Sequence, residues 1–187
     1  MKYKIKTVSA LAATLFTFGS LVGGANAAVL ITFEEIGGNV IATTSGSVVV
    51  PASFNYNFPG TYLVGANNQL SYLSGDIDRY SGGTFDAFTL SLIPSSGSGT
   101  TFGIEFQFIY FDSSAAVGSS YTPTTTWTWI GKTLSSIGLG SLTSSPTTVY
   151  TASNGETVSV ASVPEPSSTI LLGLGAFGLA TRRRKTR

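Results

Sequence analysis

The sequence predicts an all-β protein: an antiparallel β-sandwich or jelly-roll-like ectodomain, with a helical signal segment before it and a membrane helix after it. Three observations carry this. Apolar residues between positions 28 and 162 recur with period two in several segments. Gly-Gly and Asn-Gly pairs fall between such runs, where tight hairpin turns need them. No stretch there sustains the 3.6-residue period of an amphipathic helix. The chain divides into a signal peptide (1–27), a β-rich ectodomain (28–162) and a C-terminal tail (163–187).

The first segment has a basic start, Lys2, Lys4 and Lys6, and an apolar stretch from about Val8 to Val22. Ala25-Asn26-Ala27 follows, the small-residue pattern that signal peptidase cuts. The mature chain is then expected to begin at Ala28. Gly37-Gly38 separates Val29–Ile36 from Asn39–Thr44 and predicts the first hairpin. Phe88, Leu90 and Leu92 share one face of a predicted strand, with Thr89 and Ser91 on the other. Pro94–Gly99 reads as a loop. From Phe106 to Phe111 both faces are apolar or aromatic, which predicts a strand inside a sheet. Ser113–Pro123 reads as a second loop. Trp127 and Trp129 then share a face, alternating with threonines. Asn154-Gly155 predicts a type I′ turn between Thr147–Ser153 and Glu156–Ala161. Ala161–Val163 reads as a short linker to the tail.

The formal charge of +1 conceals an acidic middle. From Ala28 to Val163 there are eight acids against two cations, Arg79 and Lys132, a net of −6. The net charge of such a domain argues against nucleic acid and against an anionic lipid surface as partners. The chain has no Cys and no His. Disulfides, a lipidated cysteine, Cys/His metal sites and Ser-His or Cys-His nucleophile pairs are therefore excluded.

The tail has three parts in order. Val163, Pro164, Glu165 and Pro166 form a stiff element with one acid. An apolar run from Thr169 to Ala180 follows. Arg182, Arg183, Arg184, Lys185 and Arg187 close the chain with a cationic cluster. Counted from Ser167 to Thr181, 15 residues span roughly 22 Å as a helix, short of the ~30 Å hydrocarbon core. Snorkelling arginines and local thinning accommodate the difference, and the basic end is expected on the cytoplasmic side. Gly173, Gly175 and Gly178 spell a G-x-G-x-x-G, but no acid follows them, so the dinucleotide reading fails. They fit close helix packing in a membrane instead.

This tail resembles the PEP-CTERM sorting signal of Gram-negative bacteria. The resemblance implies recognition and removal by a membrane-embedded, exosortase-like enzyme, with Pro164, Glu165 and Pro166 as the element it reads. It also implies an inner-membrane stage before processing, then a cell-surface or extracellular location associated with exopolysaccharide. The opening ITFEEIGGNVIATTSGSV more loosely resembles the first hairpin of many such proteins, which implies a β-rich ectodomain and no known activity.

Within the ectodomain, Trp127 and Trp129 are candidates for a sugar-stacking platform, or else for core. Asp76 and Asp78 offer oxygens for a calcium ion, or else sit in a polar turn beside Arg79. Glu34, Glu35, Asp76, Asp78, Asp86 and Glu105 include no pair that spacing singles out for glycoside hydrolysis. Lys132 has no S-x-x-K before it. The expectation is a non-catalytic surface or matrix protein with no cofactor. The alternatives are a carbohydrate-binding or carbohydrate-degrading β-sandwich, or a self-associating adhesin.

Overall fold

Burial alternates along the first hairpin as a two-sided sheet requires. Val29, Ile31 and Phe33 point inward and are fully buried, and Val40 and Ala42 do so on the return strand. This is a computed structural model that describes residues 28–65, 69–86 and 88–163. The predicted signal segment, with Ala25 and Ala27, and the tail from Pro164 onward lie outside the described residues.

In chain order the strands are β1 Ala28–Ile36, β2 Asn39–Ser45, β3 Val48–Val49, β4 Phe54–Val64, β5 Gln69–Tyr80, β6 Thr84–Phe85 and β7 Ser96–Ser98. They continue with β8 Phe102–Glu105, β9 Phe108–Asp112, β10 Ser120–Tyr121, β11 Thr126–Trp129, β12 Thr147–Thr151 and β13 Thr157–Val163. Among the described residues the one helical element is a 3-10 turn, Ser135–Ile137. The described part is thus nearly all β, as predicted.

A seven-stranded sheet runs in the order β6-β12-β13-β1-β2-β11-β7. A four-stranded sheet, β4-β5-β8-β9, faces it, and β3 and β10 form a small third pair. The two larger sheets share one core. Val29, Ile31, Phe33, Trp127, Trp129 and Val160 enter it from the first, and Leu70, Phe102, Ile104, Ile109 and Phe111 from the second. This is the two-layer logic of a sandwich. One pairing departs from the antiparallel prediction: β1 and β13 run parallel, from Ala28 beside Thr157 to Glu34 beside Val163. The larger sheet is therefore mixed.

The Gly37-Gly38 turn is as expected. Both residues have positive φ, +58° and +77°, and a type I′ turn needs this at both central positions. The Asn154-Gly155 hairpin forms, but with a different turn. Gly155 alone has positive φ (+84°), its N–H donates to the Ala152 carbonyl, and the Ala152 N–H donates to the Glu156 carbonyl. That is a type I turn closed by a glycine bulge.

Other segments correct the sequence reading. Phe106–Phe111 is not one strand: Phe106 and Gln107 turn the chain, and Glu105 pairs with Phe108 across a β8–β9 hairpin. Residues 88–92 bury Phe88 and Leu90 as their alternation implies, yet they join no ladder. Pro94–Gly99 contains β7, which pairs with β11 at the sheet edge. Ala161–Val163 is not a linker but the end of β13.

β5 ties the smaller sheet together. Its first residues pair with β8, from Gln69 beside Glu105 to Tyr72 beside Phe102. Its last residues pair with β9, from Ile77 beside Asp112 to Tyr80 beside Ile109. Between them lies Gly75 at φ +89°. Buried Thr101 braces this bend, because its hydroxyl accepts from Ser74 N–H at 3.0 Å and donates to the Ser74 carbonyl at 2.6 Å. The sheet is curled as a result.

Candidate functional site

The tryptophan platform is not there. Trp127 and Trp129 are 0% and 1% exposed, so neither offers a ring face to a ligand. The side of β11 they occupy is the core side. Trp129 packs against Phe33 at 5.9 Å between ring centroids and donates its indole N–H to the Leu92 carbonyl at 2.9 Å. The alternating threonines take the half-exposed face.

The exposed aromatic surface lies on the curled sheet, on the face turned from the main core. Tyr56, Phe58 and Tyr62 stand on β4, opposite Arg79, Ile77 and Leu73 of β5. Phe108 and Tyr110 join them from β9. Leu73, Ile77 and Tyr110 form a small cluster separate from the main core, with Phe58 and Phe108 against it. Tyr56 and Phe58 are stacked, 18° apart with centroids at 5.9 Å. Phe58 meets Tyr62 at 5.7 Å and Tyr110 at 6.3 Å, both edge-on. Tyr56 and Tyr62 are exposed.

Polar groups sit among these rings. The Arg79 guanidinium lies 4.3 Å from the Phe108 ring centre and 5.8 Å from that of Tyr56, within cation–π range. It also donates to the Asn55 side-chain oxygen, which fixes it in place. Glu105 accepts from the Gln69 amide and, at 2.6 Å, from the Tyr110 hydroxyl. Burial, then the bond to Glu105, pushes the Tyr110 phenol well above its ordinary range, so it remains a neutral donor. The result is a band of rings with a fixed cation and a fixed carboxylate. Such a surface can stack on apolar faces and exchange hydrogen bonds at its margins.

The sequence reading missed this site, although its signal was present. Phe54-Asn-Tyr56-Asn-Phe58 alternates aromatic with polar at strand period. Pro59-Gly60 reads as a turn and hides the strand. Proline is tolerated here because β4 pairs only with β5 and is an edge strand.

The acids do not assemble as a metal site. Among the described residues no three potential ligands of the His, Cys, Asp or Glu type come together. Asp76 and Asp78 lie on β5 rather than in a turn. Asp78 accepts from the Asn57 amide at 2.7 Å and from the Tyr80 hydroxyl. A cleft of about 440 Å³ lies over Phe88, Leu139, Leu142, Val149 and Val160, with no titratable side chain in its lining.

At the other functional feature, β13 lies between β12 and β1 and ends at Val163. Pro164 follows at once. Residues 162–185 match the family model described as the PEP-CTERM protein-sorting motif. The chain carries a PEP-CTERM sorting motif. That motif marks it for export and for processing by an exosortase-type membrane enzyme, and then for the surface. It covers Val163, Pro164, Glu165 and Pro166 and, of the basic end, Arg182, Arg183, Arg184 and Lys185; Arg187 lies beyond the match. No curated protein and no solved structure matches the chain. Among the described residues no helix is long and apolar enough to cross a membrane.

Proposed function

We propose that this chain is an exported, non-catalytic surface or matrix protein, held in the inner membrane by its tail until an exosortase-type enzyme removes it. In this reading signal peptidase cuts after Ala27, and the ectodomain works beside exopolysaccharide. The observation that carries it is the sorting motif, whose match begins within the final two residues of the last described strand of a β-domain. The lack of His and Cys leaves no Ser-His or Cys-His nucleophile pair. The test is Glu165→Ala in a host that has the sorting enzyme. The precursor should accumulate in the inner membrane at uncleaved mass, with the ectodomain still folded. Normal maturation of that variant would overturn the role given to Glu165, and normal maturation without residues 168–187 would overturn the sorting reading.

A second reading is favoured by the aromatic face. Tyr56, Phe58, Tyr62 and Phe108, with Arg79 and Glu105 beside them, fit the stacking and hydrogen bonding that sugar rings need. Here the ectodomain holds polysaccharide directly, and Trp127 and Trp129 take no part. Tyr56→Ala with Tyr62→Ala should weaken retention on a polysaccharide affinity gel at least tenfold. Unchanged retention would leave the matrix role without this contact.

A further inference from the structure

Three large, exposed isoleucines gather at one end of the seven-stranded sheet. β1 and β13 run toward this end in parallel, and β11 does too, because it pairs antiparallel to β2 as β1 does. Ile36 closes β1 there. Ile130 follows Trp129, the last residue of β11. Ile93 precedes β7, whose Ser96 pairs with Thr128. Hydrogen bonds tie these segments into one surface. Ser95 N–H donates to the Thr128 carbonyl, Ile130 N–H to the Ser95 hydroxyl, and Gly131 N–H to the Asn39 side chain. Ile36, Ile93 and Ile130 are 46%, 59% and 64% exposed.

The same end is where the chain leaves for its tail. Val163 sits beside Glu34, two residues from Ile36. Five residues lie between Val163 and the start of the apolar run at Thr169, six steps of chain that reach at most about 22 Å even fully extended. Pro164 and Pro166 stiffen this stretch. Lys132, which follows Ile130 by two residues, is exposed. It puts an ammonium where headgroup phosphates would lie. Of the two acids near this end, Glu35 is occupied as acceptor of the Leu134 N–H, and Glu34, beside Val163, is half-buried.

We propose that this end of the sheet rests on the lipid surface, with Ile36, Ile93 and Ile130 in the interfacial layer, while the tail holds the chain in the membrane. The proposal rests on the reading of residues 169–180 as a membrane segment. It gives the isoleucines an apolar neighbour and fixes the orientation of the ectodomain.

The chain has no cysteine, so single cysteines can be placed at will. Ile36→Cys, Ile93→Cys, Ile130→Cys and, as control, Val117→Cys would each carry an environment-sensitive fluorophore. Val117 is exposed and lies at the opposite end, where Gly118 N–H bonds Val50 and Asn154 bonds Val49. The chain with its tail is reconstituted in phosphatidylethanolamine and phosphatidylglycerol vesicles. Blue-shifted emission at the three isoleucine sites, quenched by lipid-borne quencher, with water-like emission at Val117, is the expected result. Water-like emission at all four sites in protein that floats with the vesicles would overturn the proposal and leave the tail reading intact. Protein that fails to float would overturn both. A blue shift that ignores lipid quencher and fades on dilution would assign the surface to a second copy and overturn the lipid contact.

Discussion

Trp127 and Trp129 offer a paired perturbation in which most costs cancel. Both rings are buried on one face of β11, and changing either to Phe removes the same atoms from the same core. They differ in one respect. The Trp129 indole N–H donates to the Leu92 carbonyl at 2.9 Å, whereas the Trp127 indole N–H has no partner among the described residues. Trp129→Phe deletes a made hydrogen bond and strips a buried carbonyl of its donor. Trp127→Phe deletes a donor that is already unpaired. Leaving one buried partner unsatisfied costs about 1–3 kcal/mol. Trp129→Phe should therefore destabilise the domain by about 2 kcal/mol more than Trp127→Phe, a gap of roughly 8 °C in Tm for a domain of this size. Urea unfolding followed by far-UV circular dichroism measures it, since the substitutions alter the fluorescence. If Trp127→Phe is equally or more costly at unchanged m-value, the hydrogen-bond reasoning is wrong.

Two further outcomes follow from the far end and the last strand. Burial raises the Glu156 carboxyl above its usual range, against a smaller lowering by a bond from Val49, and its Oε2 is buried without a partner. A carboxyl raised by folding costs stability as pH climbs from its unfolded value through its folded one. Glu156→Gln should therefore raise the urea midpoint at pH 7 and give no gain near pH 4; an equal effect at both would refute this. The processed product should end at or beyond Val163, because a cut within β13 removes a strand paired on both sides with Val158 and Val160 in the core. Mass spectrometry of surface-released protein reads this, and a folded product ending before Thr157 would contradict it.

What was legible in the sequence was what local chemistry dictates. Two glycines in succession announced the β1–β2 hairpin, and Asn154-Gly155 announced β12–β13. The tail was read entirely from residue order. The aromatic band was not, because Pro59-Gly60 interrupts β4 in a way that resembles a turn. Gly-Asp-Ile-Asp-Arg-Tyr looked like a polar loop, yet Ile77 and Tyr80 are buried and make it the end of the longest strand. Phe106-Gln107 turns without glycine, although Phe106 has φ +47°, so the β8–β9 hairpin left no turn signature. Alternation at Thr-Trp-Thr-Trp shows that the tryptophans share a face but not which side is wet. That side is decided by Phe33 and the strands around β11.

The parallel pairing of β1 with β13 was invisible for a different reason, and it bears on how the protein matures. It joins the first described strand to the last, so no local pattern encodes it. Non-local pairing pays loop-closure entropy before it gains contacts, so the middle of this sheet is expected to form late. It cannot form until the chain is exported as far as Val163, and the next residue is the first of the Pro-Glu-Pro. In the proposed route the tail then holds the chain at the membrane while β13 docks between β12 and β1. With no spacer between strand and motif, an enzyme reading Pro164–Pro166 works against the end of the sheet itself. Docking of β13 brings Val163, the residue before the Pro-Glu-Pro, beside Glu34. The strand that completes the sheet is thus also the one that leads directly into the Pro-Glu-Pro.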